Sequence, residues 1–245
     1  MLAIITGLSS CNKPPELPVE PEIDFNCVTF KEVTNGQDSL IFKIDFQDGD
    51  GDVGLRGSEN GIPYNDVFYF FDNRDSLVTF ATRREVPGYD TLPPYEFPYY
   101  CTNWIINPTI DVTDVIKGQN GINYTVISEV TIEDTVYVQQ NPDHFNMEVV
   151  YFVQRNGVYE EFDWVTSFEP QCGESFNGRF PVLSDLNDRP LEGTLRYAMT
   201  SSGFLFLFRN DTLKLQIQIK DRALNRSNTI ETPPFTLLGV KDNDC

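Results

Sequence analysis

Leu40-Ile41-Phe42-Lys43-Ile44-Asp45-Phe46-Gln47 alternates between apolar and mostly polar residues, and Leu213-Lys214-Leu215-Gln216-Ile217-Gln218-Ile219-Lys220 alternates more cleanly still. Successive side chains of an extended chain point to opposite faces. A period of two therefore puts Leu40, Phe42, Ile44 and Phe46 on one face, as a strand covering a core requires. Segments rich in Val, Tyr, Phe and Ile near residues 24–33, 67–71, 122–132, 146–154, 158–166, 191–199 and 203–209 read as further strands. Asn156-Gly157, between two of them, supplies the positive φ that a tight hairpin demands. No stretch carries a helical period of useful length. Many short strands punctuated by 16 Gly and 16 Pro predict an all-β, antiparallel sandwich of the immunoglobulin-like kind.

An internal similarity gives this architecture more content. Asp38-Ser-Leu-Ile-Phe-Lys-Ile-Asp-Phe-Gln-Asp48 aligns without a gap to Asp211-Thr-Leu-Lys-Leu-Gln-Ile-Gln-Ile-Lys-Asp221, and Asp52 then falls opposite Asn225. Each copy is a turn, a strand and an Asp-bearing loop. Either two sandwich domains supply one copy each, with a boundary near residues 118–121, or one sandwich uses both copies near its chain ends. The expectation is one elaborated sandwich over 23–245, with the Pro/Tyr-rich stretch near 83–120 as an insertion. At 245 residues, 40% hydrophobic and 13% aromatic, the chain carries too much apolar material for a disordered tail. A net charge of −19 repels phosphate backbones, which argues against a nucleic-acid partner and suits divalent cations.

The first eleven residues, MLAIITGLSSC, form an apolar run ending in small residues, as a secretory signal does before its processing site. The run is shorter than the roughly 20 residues that span a bilayer. Leu8-Ser9-Ser10-Cys11 resembles a bacterial lipobox, which makes Cys11 the acylated mature N-terminus and residues 1–10 the signal peptide. No Lys or Arg precedes the run, which places the expected start of translation upstream. Pro14, Pro15, Pro18 and Pro21 fix φ and remove backbone donors, so residues 11–22 read as a stiff tether. Four cysteines remain besides Cys11: Cys27, Cys101, Cys172 and Cys245. None stands in a C-x-x-C pair, and an exported chain sits where disulfides persist. Three pairings are open; Cys27 with Cys245 and Cys101 with Cys172 is one of them.

Asp48-Gly-Asp-Gly-Asp52-Val-Gly54-Leu is the most chemical segment. Carboxylates at alternate positions, with glycines that let the backbone turn tightly, can aim several oxygens at one hard cation, and Ca²⁺ accepts six to eight. Asp48, Asp50 and Asp52 are the expected Ca²⁺ ligands. Glu59 falls eleven residues after Asp48, where an EF-hand-type loop places its bidentate acid. Val53 stands where that loop needs Gly, and strands rather than helices flank it, so the expected site is only calcium-loop-like. Asp221, Asn225, Ser227 and Asn228 carry less charge and read as turn-stabilising groups.

The pattern F-x-D-G-D-G-D-V-G-L over residues 46–55, followed by IKDRALNRSN and TPP, resembles a group of poorly characterised lipoproteins of Bacteroidota. The resemblance covers roughly residues 1–55 and 211–237. It implies a lipid anchor, an immunoglobulin-like body and an outer-membrane location, frequently at the cell surface. Proteins of that phylum are also glycosylated at Asp-Ser/Thr-aliphatic sequons. Ser39, Ser76, Thr91, Thr135 and Thr212 stand in such triplets, although Asp-Ser and Asp-Thr are ordinary turn residues too.

The chain has one histidine, His144, and no G-x-S-x-G, H-E-x-x-H or phosphate-loop motif, so the reading is non-catalytic. Tyr89, Tyr95, Phe97, Tyr99, Tyr100 and Trp104 crowd the proline-rich stretch and are candidates for a stacking platform. Two functions are therefore expected to compete. One is a lipid-anchored subunit or scaffold with an outer-membrane protein partner; the other is a surface glycan-binding module.

Overall fold

The computed structural model describes residues 17–72, 74–83, 104–110, 115–118, 121–125, 128–164, 167, 175–183 and 189–245. Cys11, Tyr89, Thr91, Tyr95, Phe97, Tyr99, Tyr100, Cys101 and Cys172 lie outside the described residues. In chain order the elements are β1 (Glu22–Lys31), β2 (Asp38–Asp48), β3 (Val67–Tyr69), β4 (Trp104–Ile106), β5 (Thr109–Ile110), β6 (Val115–Lys117), β7 (Asn123–Thr125), β8 (Val130–Thr131), β9 (Thr135–Gln140), β10 (Met147–Arg155), β11 (Val158–Phe162), β12 (Leu191–Ser201), α1 (Phe204–Phe208), β13 (Leu213–Ile219) and β14 (Ile230–Glu231).

Two antiparallel sheets carry the core. One has the order β1-β2-β12, the other β11-β10-β13-β14. The two copies of the internal repeat are thus the middle strand of one sheet, β2, and an inner strand of the other, β13. The alternation read in the sequence is realised in β13, where Leu213, Leu215, Ile217 and Ile219 are buried and the residues between them are half-buried. From β2, Leu40, Phe42, Ile44 and Phe46 enter the same apolar cluster as β13 and as Met147, Val149, Tyr151 and Val153 of β10. Tyr151, fully buried, donates its hydroxyl hydrogen bond across the core to the Met199 sulfur of β12 at 3.1 Å. The ring of Trp164 stands edge-on to Tyr151 and Phe176.

The hairpin between β10 and β11 turns at Asn156 (φ 51°) and Gly157 (φ 83°), as Asn-Gly predicts. The disulfide Cys27–Cys245 ties β1 to the C-terminus. Residues 67–140 add three small sheets, β3-β9-β4, β5-β8 and β6-β7.

Several expectations are corrected. Residues 204–208 are a short helix, not part of a strand. Phe204 and Phe208 are four apart, share one helical face and are buried, while Phe206 is 89% exposed. The segment bridges the end of β12 and the start of β13, which belong to opposite sheets, so a compact turn fits there better than an extended strand. Residues 122–132 divide into β7 and β8 instead of forming one strand. β9, which no alternation announced, is the centre of its small sheet, with Val136, Tyr137 and Val138 buried.

Candidate metal centre

Asp48 ends β2 and Asp221 follows β13 by two residues, so the two sheets deliver both aspartates to the same end of the sandwich. Asp52 joins them because the chain after β2 turns back and pairs with the other copy. Val53 bridges Asp221, and the Arg222 amide donates to the Asp52 carbonyl at 3.2 Å. One carboxylate oxygen from each of Asp48, Asp52 and Asp221 lies within 4.8 Å of the others. Asp48 is 0% exposed and Asp221 1%.

Some of these oxygens are satisfied locally. One Asp48 oxygen accepts the Asp52 amide at 2.9 Å, and Asp221 accepts both the amide (2.8 Å) and the side-chain nitrogen (2.7 Å) of Asn225. Oδ1 of Asp48, of Asp50 and of Asp52 is buried with no hydrogen-bond partner among the described residues. The cations beside Asp221 in sequence are engaged elsewhere. Lys220 reaches Asp143 and Glu148, at 3.3 and 3.0 Å, and the Pro142 carbonyl. Arg222 pairs with Glu59.

Burial, with the neighbouring cations paired to other acids, disfavours the ionised form of these aspartates. Desolvation, then the charges of Asp50 and Asp52, push Asp48 up to about 7. Desolvation, then Asp221 and Asp50, push Asp52 up to about 6. Asp221 is raised chiefly by burial. An all-oxygen donor set with excess negative charge and no His or Cys suits a hard cation such as Ca²⁺, not zinc. The residues present therefore fit the ion expected from the sequence.

The glycines of the loop do more than make a tight turn. A Cβ at Gly49 would lie 2.4 Å from the Leu17 carbonyl oxygen. One at Gly51 would lie 2.3 Å from that of Arg189, and one at Gly54 2.3 Å from that of Pro181. Three other chain segments pass against the acidic loop at these points. They are fastened by bonds from the Gly49 amide to Pro18 O (2.7 Å), from the Arg189 amide to Asp50 O (3.2 Å) and from the Leu55 amide to Phe180 O (3.0 Å).

The structure brings together Asp48 and Asp52 of the expected ligands. Asp50 stands close enough for its charge to raise both Asp48 and Asp52 but is not one of the converging group. Glu59 is placed elsewhere: its carboxylate takes both guanidinium nitrogens of Arg222 and the Arg56 amide, which hold it below the ordinary carboxylate range. An arginine can bind a carboxylate bidentately, and that satisfies Glu59 without a metal. Asp221 takes the third place. Its signal was in the sequence, because the ungapped repeat sets Asp221 opposite Asp48. The second loop also has the turn-stabilising bonds expected of it. Asn225 bonds Asp221, Ser227 Oγ accepts the Ile219 amide at 3.0 Å, and Asn228 brackets the backbone of Ile23.

The remaining candidates scatter. Trp104 opens β4, with its backbone opposite Tyr137. Ser39 is half-buried in β2, Ser76 is exposed in a turn capped by Asp72, and Thr212 is half-buried ahead of β13. Thr135 is 7% exposed within β9, so a glycan there has no room in the folded chain. His144 Nδ1 lies 2.9 Å from the Tyr64 carbonyl and donates to it. Among the described residues no helix is long and apolar enough to cross a membrane. No protein-family model, curated protein or solved structure matches the chain.

Proposed function

We propose that this chain is a calcium-stabilised, non-catalytic β-sandwich that serves as a lipid-anchored subunit or scaffold of an outer-membrane or cell-surface assembly. The observation that carries the reading is the closed cluster of Asp48, Asp52 and Asp221, with buried carboxylate oxygens that have no partner among the described residues. A buried ion enclosed by the ends of two inner strands is structural by its position. It stiffens a body whose task is to hold a surface in place. The Cys27–Cys245 disulfide supports an exported location, because such bonds persist in oxidising compartments. The lipobox-like Leu8–Cys11 and the Pro-rich tether supply the anchor, and confinement near a membrane raises the effective concentration of an embedded partner.

Detergent pull-down of the tagged, acylated protein in millimolar Ca²⁺ tests the assignment. Recovery of a stoichiometric outer-membrane protein is the expected result. Recovery of the lipoprotein alone, with retention on a polysaccharide affinity gel, replaces it with glycan binding. Calorimetry with Ca²⁺ tests the ion separately: a melting temperature and heat signal both unchanged by the metal remove it from the reading.

A further inference from the structure

We infer that cation binding at Asp48, Asp52 and Asp221 fixes Leu17–Pro18 onto the sandwich, so that the metal site sets how the N-terminal tether leaves the body. The inference rests on the metal reading above and adds a consequence to it.

Among the described residues of the tether, Pro18 is held at the acidic loop. Pro18, Val19 and Glu20 are exposed, and the next buried side chains are Pro21 and Ile23. Ahead of these, the Gly49 amide donates to the Pro18 carbonyl at 2.7 Å. Gly49 stands between Asp48 and Asp50, and its lack of a side chain lets the Leu17 and Pro18 backbone lie against it. This amide is thus the hydrogen bond that holds Pro18 against the acidic loop.

The same amide is flanked by the charges the ion must balance. Asp48 is completely buried, its Oδ1 has no hydrogen-bond partner among the described residues, and Asp50 and Asp52 each bury a similar oxygen. With a cation bound, these oxygens are drawn toward Asp221 and the loop is pinned to β13, from the opposite sheet. Without it, like charges a few ångströms apart repel. The relief is to swing residues 49–52 outward, because Asp48 is the last residue of β2 and Asp221 is bonded to Asn225. That movement carries the Gly49 amide away from Pro18. A ligand shifts such an equilibrium only through its different affinity for the two states, and here the ion favours the closed loop.

The test is proteolysis of the Val19–Glu20 bond by an elastase, which cleaves after small aliphatic residues, in the full chain, well below the melting temperature, with Ca²⁺ or EDTA and with calorimetry run in parallel. The expected result is that Ca²⁺ slows cleavage after Val19 at least tenfold. Asp221→Asn, on the opposite sheet, abolishes both the calorimetric signal and the protection. If wild-type protein binds Ca²⁺ by calorimetry and the two cleavage rates agree within twofold, the latch is overturned while the metal site stands. If calorimetry detects no binding, the metal reading itself falls. Hydrogen exchange of the Gly49 amide gives a second readout: slower exchange in Ca²⁺ is expected, and equal rates count against the latch.

Discussion

Asp48 and Asp221 bring carboxylate oxygens within 4.8 Å of each other, although one ends an inner strand of one sheet and the other follows an inner strand of the facing sheet. The internal repeat makes this meeting possible. Two similar strand-loop units, packed face to face around one core, bring equivalent aspartates to the same end of the sandwich. The price of the arrangement is buried like charge, and most of the behaviour expected of the site follows from it.

Neutralising one of the charges should therefore invert the usual effect of a mutation at a buried residue. Asp48→Asn and Asp221→Asn are expected to raise the melting temperature in EDTA by roughly 2–4 °C, the shift that about 1 kcal/mol gives in a chain of this size. Both should remove most of the stabilisation that Ca²⁺ is proposed to give wild-type protein. Paired thermal melts in Ca²⁺ and in EDTA check this. A melting temperature that falls in EDTA for both variants shows that the carboxylates are structural acceptors and not a strained ion site.

The metal-free protein should also respond to pH with a definite sign. Asp48 and Asp52 sit above the ordinary carboxylate value of 3.8 in the folded state, at about 7 and about 6. Between those limits the folded chain binds more protons than the unfolded one, so stability falls as pH rises through that window. Urea denaturation in EDTA should give a lower midpoint at pH 7.5 than at pH 5 from this contribution. Excess Ca²⁺ should flatten or reverse the trend, because the ion competes with protons for the same oxygens.

How much of this was legible in the sequence depends on whether the signal was local. The alternation in β2 and β13 and the Asn156-Gly157 turn are local, and they appear where the residues place them. Asp48 and Asp52 stand out in the sequence because alternate acids in a Gly-rich loop have a chemistry of their own, and the fold brings their carboxylates together. Asp221 and Glu59 exchange roles for a reason that spacing cannot carry. Arg222 is adjacent to Asp221 in sequence but reaches across to Glu59, and only the packing of the two loops reveals this. β9 was missed because Thr135–Gln140 mixes buried and polar residues without a strict period, and it is stabilised by neighbours distant in sequence.

The helix α1 separates two kinds of phenylalanine that look alike in FLFLF. Phe204 is fully buried against Trp164 and Phe176, so Phe204→Ala should cost about 3–5 kcal/mol, as large aromatic truncations in cores do. Phe206 is 89% exposed, and Phe206→Ser should change stability by less than about 0.5 kcal/mol. Urea midpoints for the two variants measure the difference. Equal costs would mean that residues 203–209 form a strand after all.

The Cys27–Cys245 bridge closes a loop of 218 residues. In the chain-entropy account a loop of that length stabilises the fold by up to about 5 kcal/mol. A double Cys27→Ser, Cys245→Ser variant should lose a substantial part of that. It should also loosen the C-terminal segment, where the Asp242 amide donates to the Phe30 carbonyl at 3.0 Å. Chemical denaturation gives the stability change, and hydrogen exchange of the Asp242 amide reports the local release.

Two glycines a few residues apart should separate the uses of glycine in the acidic loop. Gly51 has φ +71°, and a Cβ there would meet the Arg189 carbonyl oxygen at 2.3 Å, a backbone atom fixed by the start of β12. Gly51→Ala meets both a left-handed backbone, which costs roughly 1–2 kcal/mol for an L-residue, and a contact that only a backbone shift relieves. The expected loss is about 3 kcal/mol or more. It should come with weaker Ca²⁺ binding, since the shift moves Asp50 and Asp52 on either side. Gly57 has no heavy atom within 4 Å of its would-be Cβ, so Gly57→Ala should lie within about 0.5 kcal/mol of wild type. Urea midpoints at unchanged m-value, with Ca²⁺ titrations beside them, make the comparison. If both variants behave alike, the glycines serve only to make the loop supple, and the close passage of the 189 segment contributes nothing to the site.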